Sequence, residues 1–164
     1  MLQNKKKKDA KHQNTLPTIF MVTPTFKRFV QKAELTRVWQ AIRSVKNIHW
    51  IVVEDSAQKT ELVRHFLNRT DLNYTHLNVR TPEELRRRKG DRRRMKPRGV
   101  EQRNLALSWI RKNINPDQTK GVVYFADDDN TYDSQVFEEV RMRVTYNKIA
   151  SQWRRQWGSK VKLK

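Results

Sequence analysis

From Pro17 onward, short apolar runs alternate with stretches whose apolar residues recur every three or four positions. That pattern fits strands joined by crossover helices in a mostly parallel α/β sheet. Thr18 to Val22 reads as the first strand. Leu35, Val38, Trp39, Ile42 and Val45 then share one face of a helix from about Gln31 to Ser44. Trp50 to Val53 is a second strand ended by Glu54-Asp55, Glu61 to Leu67 a short helix, and Tyr74 to Val79 a third strand. Helical spacing returns from Gly99 to Ile114 through Val100, Leu107, Ile110 and Ile114. It leads into Val122 to Ala126, which reads as a fully buried strand. Ser134 to Arg143 is the next helix, capped by Asp133 or Ser134, with Val136, Phe137 and Val140 facing inward. No strand pattern follows, so the domain reads as unfinished. Residues 1–16 form a basic N-terminal segment expected to be disordered, 17–143 an incomplete α/β domain, and 144–164 a divergent basic tail.

A chain of 164 residues suits one domain, and an apolar fraction of 36% with five Trp suffices for a modest core. The formal charge of +19 implies a phosphate-rich, sulfated or otherwise anionic partner, or a highly soluble fragment. It is concentrated in Lys5 to Lys11, Arg86 to Arg98 and Lys148 to Lys164. Between Arg86 and Arg98 there is almost nothing to bury, so a mobile surface loop is expected there. The absence of cysteine excludes a disulfide framework and a thiolate metal site. No apolar stretch approaches the roughly 20 residues that cross a bilayer. Met1 to Gln13 lacks the apolar region of a signal peptide.

The last strand stops abruptly in Asp127-Asp128-Asp129. Hard cations such as Mg²⁺ and Mn²⁺ prefer carboxylate oxygens, and often take one or two from the protein while substrate phosphates supply the rest. Adjacent like charges also repel without a counter-ion, although Asp and Asn are equally ordinary turn and cap residues. Pro24-Thr25 and Glu54-Asp55 end the first two strands, and in a parallel sheet these ends share one edge with the triplet. There a carboxylate such as Asp55 can accept hydrogen bonds from a base, and Arg98 and Arg103 can neutralise a diphosphate. A turn residue and a solvated basic run are the plainer readings of Asp55 and Arg98.

Five segments together resemble the animal β-1,3-glucuronyltransferases: Val22-Thr23-Pro24-Thr25-Phe26, Gln31-Lys32-Ala33-Glu34-Leu35, His49 to Asp55, Pro97 to Asn104 and Gly121 to Tyr132. The resemblance covers about Pro17 to Arg143. It implies a Rossmann-like, glycosyltransferase A-type nucleotide-sugar-binding fold. The implied activity is transfer of glucuronic acid from UDP-glucuronate to a terminal galactose, with inversion and Mn²⁺, as in building the proteoglycan linker. By the same resemblance Asp129 is the metal ligand, and Asp127 and Asp128 lie near the ribose and donor sugar. Asp55 faces the uracil, Pro24, Thr25 and Phe26 line the nucleotide pocket, and Arg98 and Arg103 meet the donor. Phe26 stands where the family usually has Tyr, which removes a hydroxyl contact and keeps the ring.

Beyond Arg141 the family continues into an acceptor half that supplies the catalytic base, and no residue here matches that base. Glu138 and Glu139 read as solvated helix residues, so this polypeptide alone is expected to bind donor without turnover. The resemblance also implies a Golgi membrane protein and a homodimer, with the membrane anchor lacking a counterpart before Pro17. Asn68-Arg69-Thr70 and Asn73-Tyr74-Thr75 are N-glycosylation sequons that suit a lumenal chain. The competing reading is a non-catalytic basic protein that holds acidic glycan or nucleic acid, with steep salt dependence and indifference to Mn²⁺. Trp153-Arg154-Arg155-Gln156-Trp157 fits base stacking, but a frayed amphipathic tail is the plainer reading and nucleic acid the less favoured partner.

Overall fold

The computed structural model describes residues 16–86 and 98–143; the N-terminal basic run, nearly all of the Arg86 to Arg98 segment and the tail lie outside them. Four strands, β1 (Thr18–Thr25), β2 (Ile48–Glu54), β3 (Asn73–Asn78) and β4 (Gly121–Phe125), form one parallel sheet in the order β3-β2-β1-β4. Helices α1 (Gln31–Ile42), α2 (Glu61–Asn68) and α3 (Val100–Asn113) connect them, and α4 occupies 135–143. A single 3₁₀ turn, Glu83–Leu85, follows β3.

Side chains alternate across each strand, and helices cover both faces of the two central ones. On one face Ile19, Met21, Trp50 and Val52 pack with Leu35, Val38 and Ile42 of α1, Val63 and Leu67 of α2, and Phe137 of α4. On the other, Phe20, Val22, Ile51 and Val53 meet Ala106 of α3, with Leu105, Trp109 and Ile110 packed around them. Each such large side chain withdrawn from water contributes about 1.5–3 kcal/mol, before the entropy of ordering it is subtracted. The polar end of Trp50 is paired: its indole N–H donates to Thr23 Oγ1 at 2.9 Å.

Three features differ from the sequence pattern. The run ending in the Asp triplet is not fully buried, because among the described residues β4 is an edge strand that pairs with β1 alone. Val122 to Tyr124 are half-buried, and Phe125 is 45% exposed. In α3 the inward positions are Gln102, Leu105, Ala106, Trp109 and Ile110, while Val100 is exposed at the first turn. A buried glutamine hid the true face of that helix.

β1 also runs three residues further than its apolar stretch suggests, through Pro24. Proline brings no N–H to a ladder and is tolerated where that donor has no partner. The Val22 carbonyl accepts from Ala126 on the β4 side, and the Thr25 carbonyl accepts from Asp55 on the β2 side. Alternation therefore points the Pro24 nitrogen toward β4, which has already ended opposite Val22.

Candidate functional site

The chain lays down β1, β2 and β3 in one direction, then returns through α3 to place β4 on the far side of β1. Sheets of this kind hold ligands outside the carboxyl ends of their strands, at the point where the order reverses. Here that point lies between β1 and β4, where Pro24 to Phe26 and Asp127 to Asp129 emerge.

Gly99 lets α3 close onto this edge. Its φ is +76°, and a Cβ there would lie 2.7 Å from Arg103 Nη1 and 3.2 Å from Pro24 Cβ. Arg103, one turn into α3, donates from Nη1 to the Arg98 carbonyl at 2.8 Å and pairs through Nη2 with Asp127 Oδ1. Phe26 is 38% exposed and carries the Arg28 guanidinium 4.4 Å and the Arg98 guanidinium 5.6 Å from its ring centroid. Both distances suit attraction of a cation to an aromatic ring.

The triplet divides into three environments. Asp127 is paired with Arg103, and its carbonyl accepts from the Tyr132 hydroxyl at 2.9 Å. Asp128 is 5% exposed, with Oδ1 2.7 Å from Arg28 Nη2 and a buried Oδ2 that has no partner. Arg28 also pairs with Glu34. Burial alone would ease the proton off Arg28, but the hydrogen bond to Asp128 and the two carboxylate charges outweigh it and hold its pKa above the ordinary value. Asp129 is exposed; its carbonyl accepts from Arg37 Nη2 at 3.0 Å, and its carboxylate is uncommitted among the described residues. Repulsion within the triplet is thus relieved by arginines at two of the three positions. The electrostatic case for a cation narrows to Asp129.

Asp55 follows β2 on the face that α3 covers, and both its oxygens are occupied. Thr81 donates its backbone N–H to Oδ1 at 2.7 Å and its hydroxyl to Oδ2 at 2.8 Å. Thr25 points to the opposite face, where its buried hydroxyl accepts from Gln31 Nε2 at 3.1 Å. It joins the edge through its carbonyl, which accepts from the Asp55 N–H at 2.7 Å. The structure therefore gathers Pro24, Phe26, Asp55, Arg98, Arg103 and Asp127 on one face of the sheet edge. Asp128 is held from the other face by Arg28. Arg28, Glu34, Arg37, Thr81 and Gln102 were not singled out from sequence; Arg28, Glu34 and Gln102 lie in or beside the quoted segments, and their roles need the fold to appear.

Outside this edge, Asn68 is exposed at the end of α2, where its Oδ1 accepts from the Tyr74 hydroxyl at 2.5 Å, and Asn73 is exposed at the start of β3. Glu138 pairs with Arg141 of its own helix at 2.9 Å. No helix among the described residues is long and apolar enough to cross a membrane.

An all-parallel sheet in this order, with helices on both faces and charged side chains gathered at its switch point, is a doubly wound nucleotide-binding α/β fold, the class that includes the A-type glycosyltransferases. The model for glycosyltransferase family 43 matches residues 38–153, and the chain belongs to that family. Galactosylgalactosylxylosylprotein 3-beta-glucuronosyltransferase 1 of Rattus norvegicus is 54% identical over 129 residues, covering 78% of this chain and 39% of the relative. The human 3-beta-glucuronosyltransferase 3 of the same series is 50% identical over 135 residues, covering 77% and 40%. The chain spans about two fifths of the length of these curated relatives. Among solved structures, S. aureus TarS 1-349 in complex with UDP is similar in fold, with a TM-score of 0.50 at 17% identity, covering 79% of this chain and 32% of that one.

Proposed function

We propose that this chain is the donor-binding part of a β-1,3-glucuronosyltransferase that takes UDP-glucuronate and, in the whole protein, passes glucuronate to a galactose-ended glycan with inversion. The single observation that carries the reading is the convergence of Phe26, Asp55, Arg98, Arg103 and the Asp triplet on the switch-point edge. These are the residue types a uridine diphosphate needs: a ring face, an acceptor for a base N–H, and guanidiniums for phosphate. Membership of family 43 and the names of the relatives support the same activity.

Mn²⁺ fits the residues present. Among the described residues no group of three or more His, Cys, Asp or Glu side chains is arranged as a closed metal site. The exposed carboxylate of Asp129 instead offers oxygen to a cation that completes its shell with phosphate and water. Asp129 would hold the metal, which when bound neutralises charge developing on the UDP leaving group. Arg103, already oriented by Asp127 and the Arg98 carbonyl, adds positive charge on the same side. A lumenal Golgi location and glycosylation at Asn68 or Asn73 belong to this reading, as does pairing of two copies.

Thermal unfolding of the purified chain tests it. UDP with Mn²⁺ should raise the midpoint, because a ligand that binds only the folded state stabilises it, by about 2.7 kcal/mol at 100 times its Kd. UDP with EDTA should raise it far less. A midpoint indifferent to UDP at millimolar concentration contradicts the proposal.

A further inference from the structure

Thr81 lies well away in sequence from every segment that marks the family, yet each of its polar atoms is committed. Its N–H and its hydroxyl grip the two oxygens of Asp55 at 2.7 and 2.8 Å. Its hydroxyl oxygen also accepts from Gln102 Nε2 at 3.3 Å, and its carbonyl accepts from Arg86 Nε at 3.1 Å. Gln102 is 1% exposed and fixed from the other side by the Val79 carbonyl, 2.9 Å from Nε2. Pro82 follows, which biases Thr81 to extended backbone. The result is a rigid relay from the buried face of α3 through Thr81 to Asp55.

We infer that Thr81, braced by Gln102, is the positioning residue that makes this site select uracil over cytosine; the inference rests on the donor-binding reading above. A carboxylate is acceptor-only and has about four lone-pair sites. Two are spent on Thr81, which fixes the plane of the group and leaves the remaining lone pairs in set directions. Uracil presents an N–H at N3 of its pairing edge, whereas cytosine presents an acceptor at N3 and its donor at the adjacent N4 amino group. A carboxylate gripped on both oxygens accepts from the first and cannot swing to meet the second. One free to rotate can turn to the amino group, so the preference depends on the clamp and not only on the charge.

The experiment is calorimetric titration of UDP and of CDP, each with Mn²⁺, into the native chain, Thr81→Val and Thr81→Ser, with thermal unfolding of each. Thr81→Val keeps the shape and removes the hydroxyl donor. The native chain should prefer UDP by well over tenfold, since a site built to pair a polar group rejects the analogue that leaves it unpaired. Thr81→Val should lose about tenfold of that ratio, chiefly through tighter CDP binding, and Thr81→Ser should restore it. A merely structural role would weaken both nucleotides together and leave the ratio alone. If Thr81→Val remains folded and keeps the native ratio, or Thr81→Ser fails to restore it, the inference is overturned while the donor site stands. Absence of UDP binding by the native folded chain overturns both.

Discussion

Glu54 is 1% exposed at the end of β2, and it survives as a charge because three donors converge on it. His76 Nε2 lies 2.6 Å from Oε1, the Thr60 N–H 2.9 Å from the same oxygen, and the Thr60 hydroxyl 2.6 Å from Oε2. A carboxylate only accepts, so His76 Nε2 carries the shared proton. Burial alone would raise the Glu54 pKa, but the hydrogen bonds from His76 and Thr60 outweigh it and hold the group below its ordinary 4.5. The stability this gives is complete above 4.5 and lost as pH falls through the lowered folded value. Glu54→Gln should cost about 1.5–3 kcal/mol at neutral pH, the range for hydrogen bonds to a charged group. Its deficit should shrink in acid, read by denaturant unfolding across pH; a deficit independent of pH would contradict an ionised Glu54. Sequence showed Glu54 only as the end of an apolar run beside Asp55. Which of two adjacent acids faces helices α1 and α2 and which faces α3 is decided by strand register, and that appears only when the sheet is assembled. The same applies to Arg28, whose two carboxylate partners lie 6 and 100 positions away in the chain.

Gly99 and the first turn of α3 carry the geometry of the edge at the scale of the element. The left-handed backbone at +76° disfavours any side chain, and an added Cβ would strike Arg103 and press on Pro24. Gly99→Ala should cost about 1–2 kcal/mol from the backbone conformation alone. It should also weaken UDP binding by displacing the guanidinium that Asp127 orients, measured by titration beside an exposed control such as Asn104→Ala. Unchanged UDP affinity would place Arg103 outside the donor site. The helices and strands themselves were legible because their apolar periods are strong: Leu35, Val38 and Ile42 of α1 are buried as their spacing requires. Misreading came where a polar side chain took a core position, Gln102 in α3. It came again in β4, where a run with the composition of a central strand sits at an edge.

For the whole molecule, the parallel order β3-β2-β1-β4 places the ends of three strands along one edge, and that placement turns separate Asp, Arg and Phe residues into one site. Sequence order alone conveyed the α/β class, since short apolar runs and amphipathic stretches alternate from Pro17, broken by the basic stretch from Arg86 to Arg98. The pairing of Asp127 and Asp128 with arginines from two different helix entrances was not legible, because those contacts join positions far apart in the chain. Within the triplet, and among the described residues, Asp129 is the carboxylate with no arginine partner, and on it rests the claim that this sheet holds a metal-bound nucleotide. The measurement that tests the claim most directly is calorimetric titration of UDP into the chain with Mn²⁺ and with EDTA, repeated on Asp129→Ala. The account predicts binding that requires both the metal and Asp129, with the variant as stable as the native chain because an exposed, unpaired carboxylate contributes little to folding. Equal UDP affinity in EDTA, or in Asp129→Ala, would contradict it.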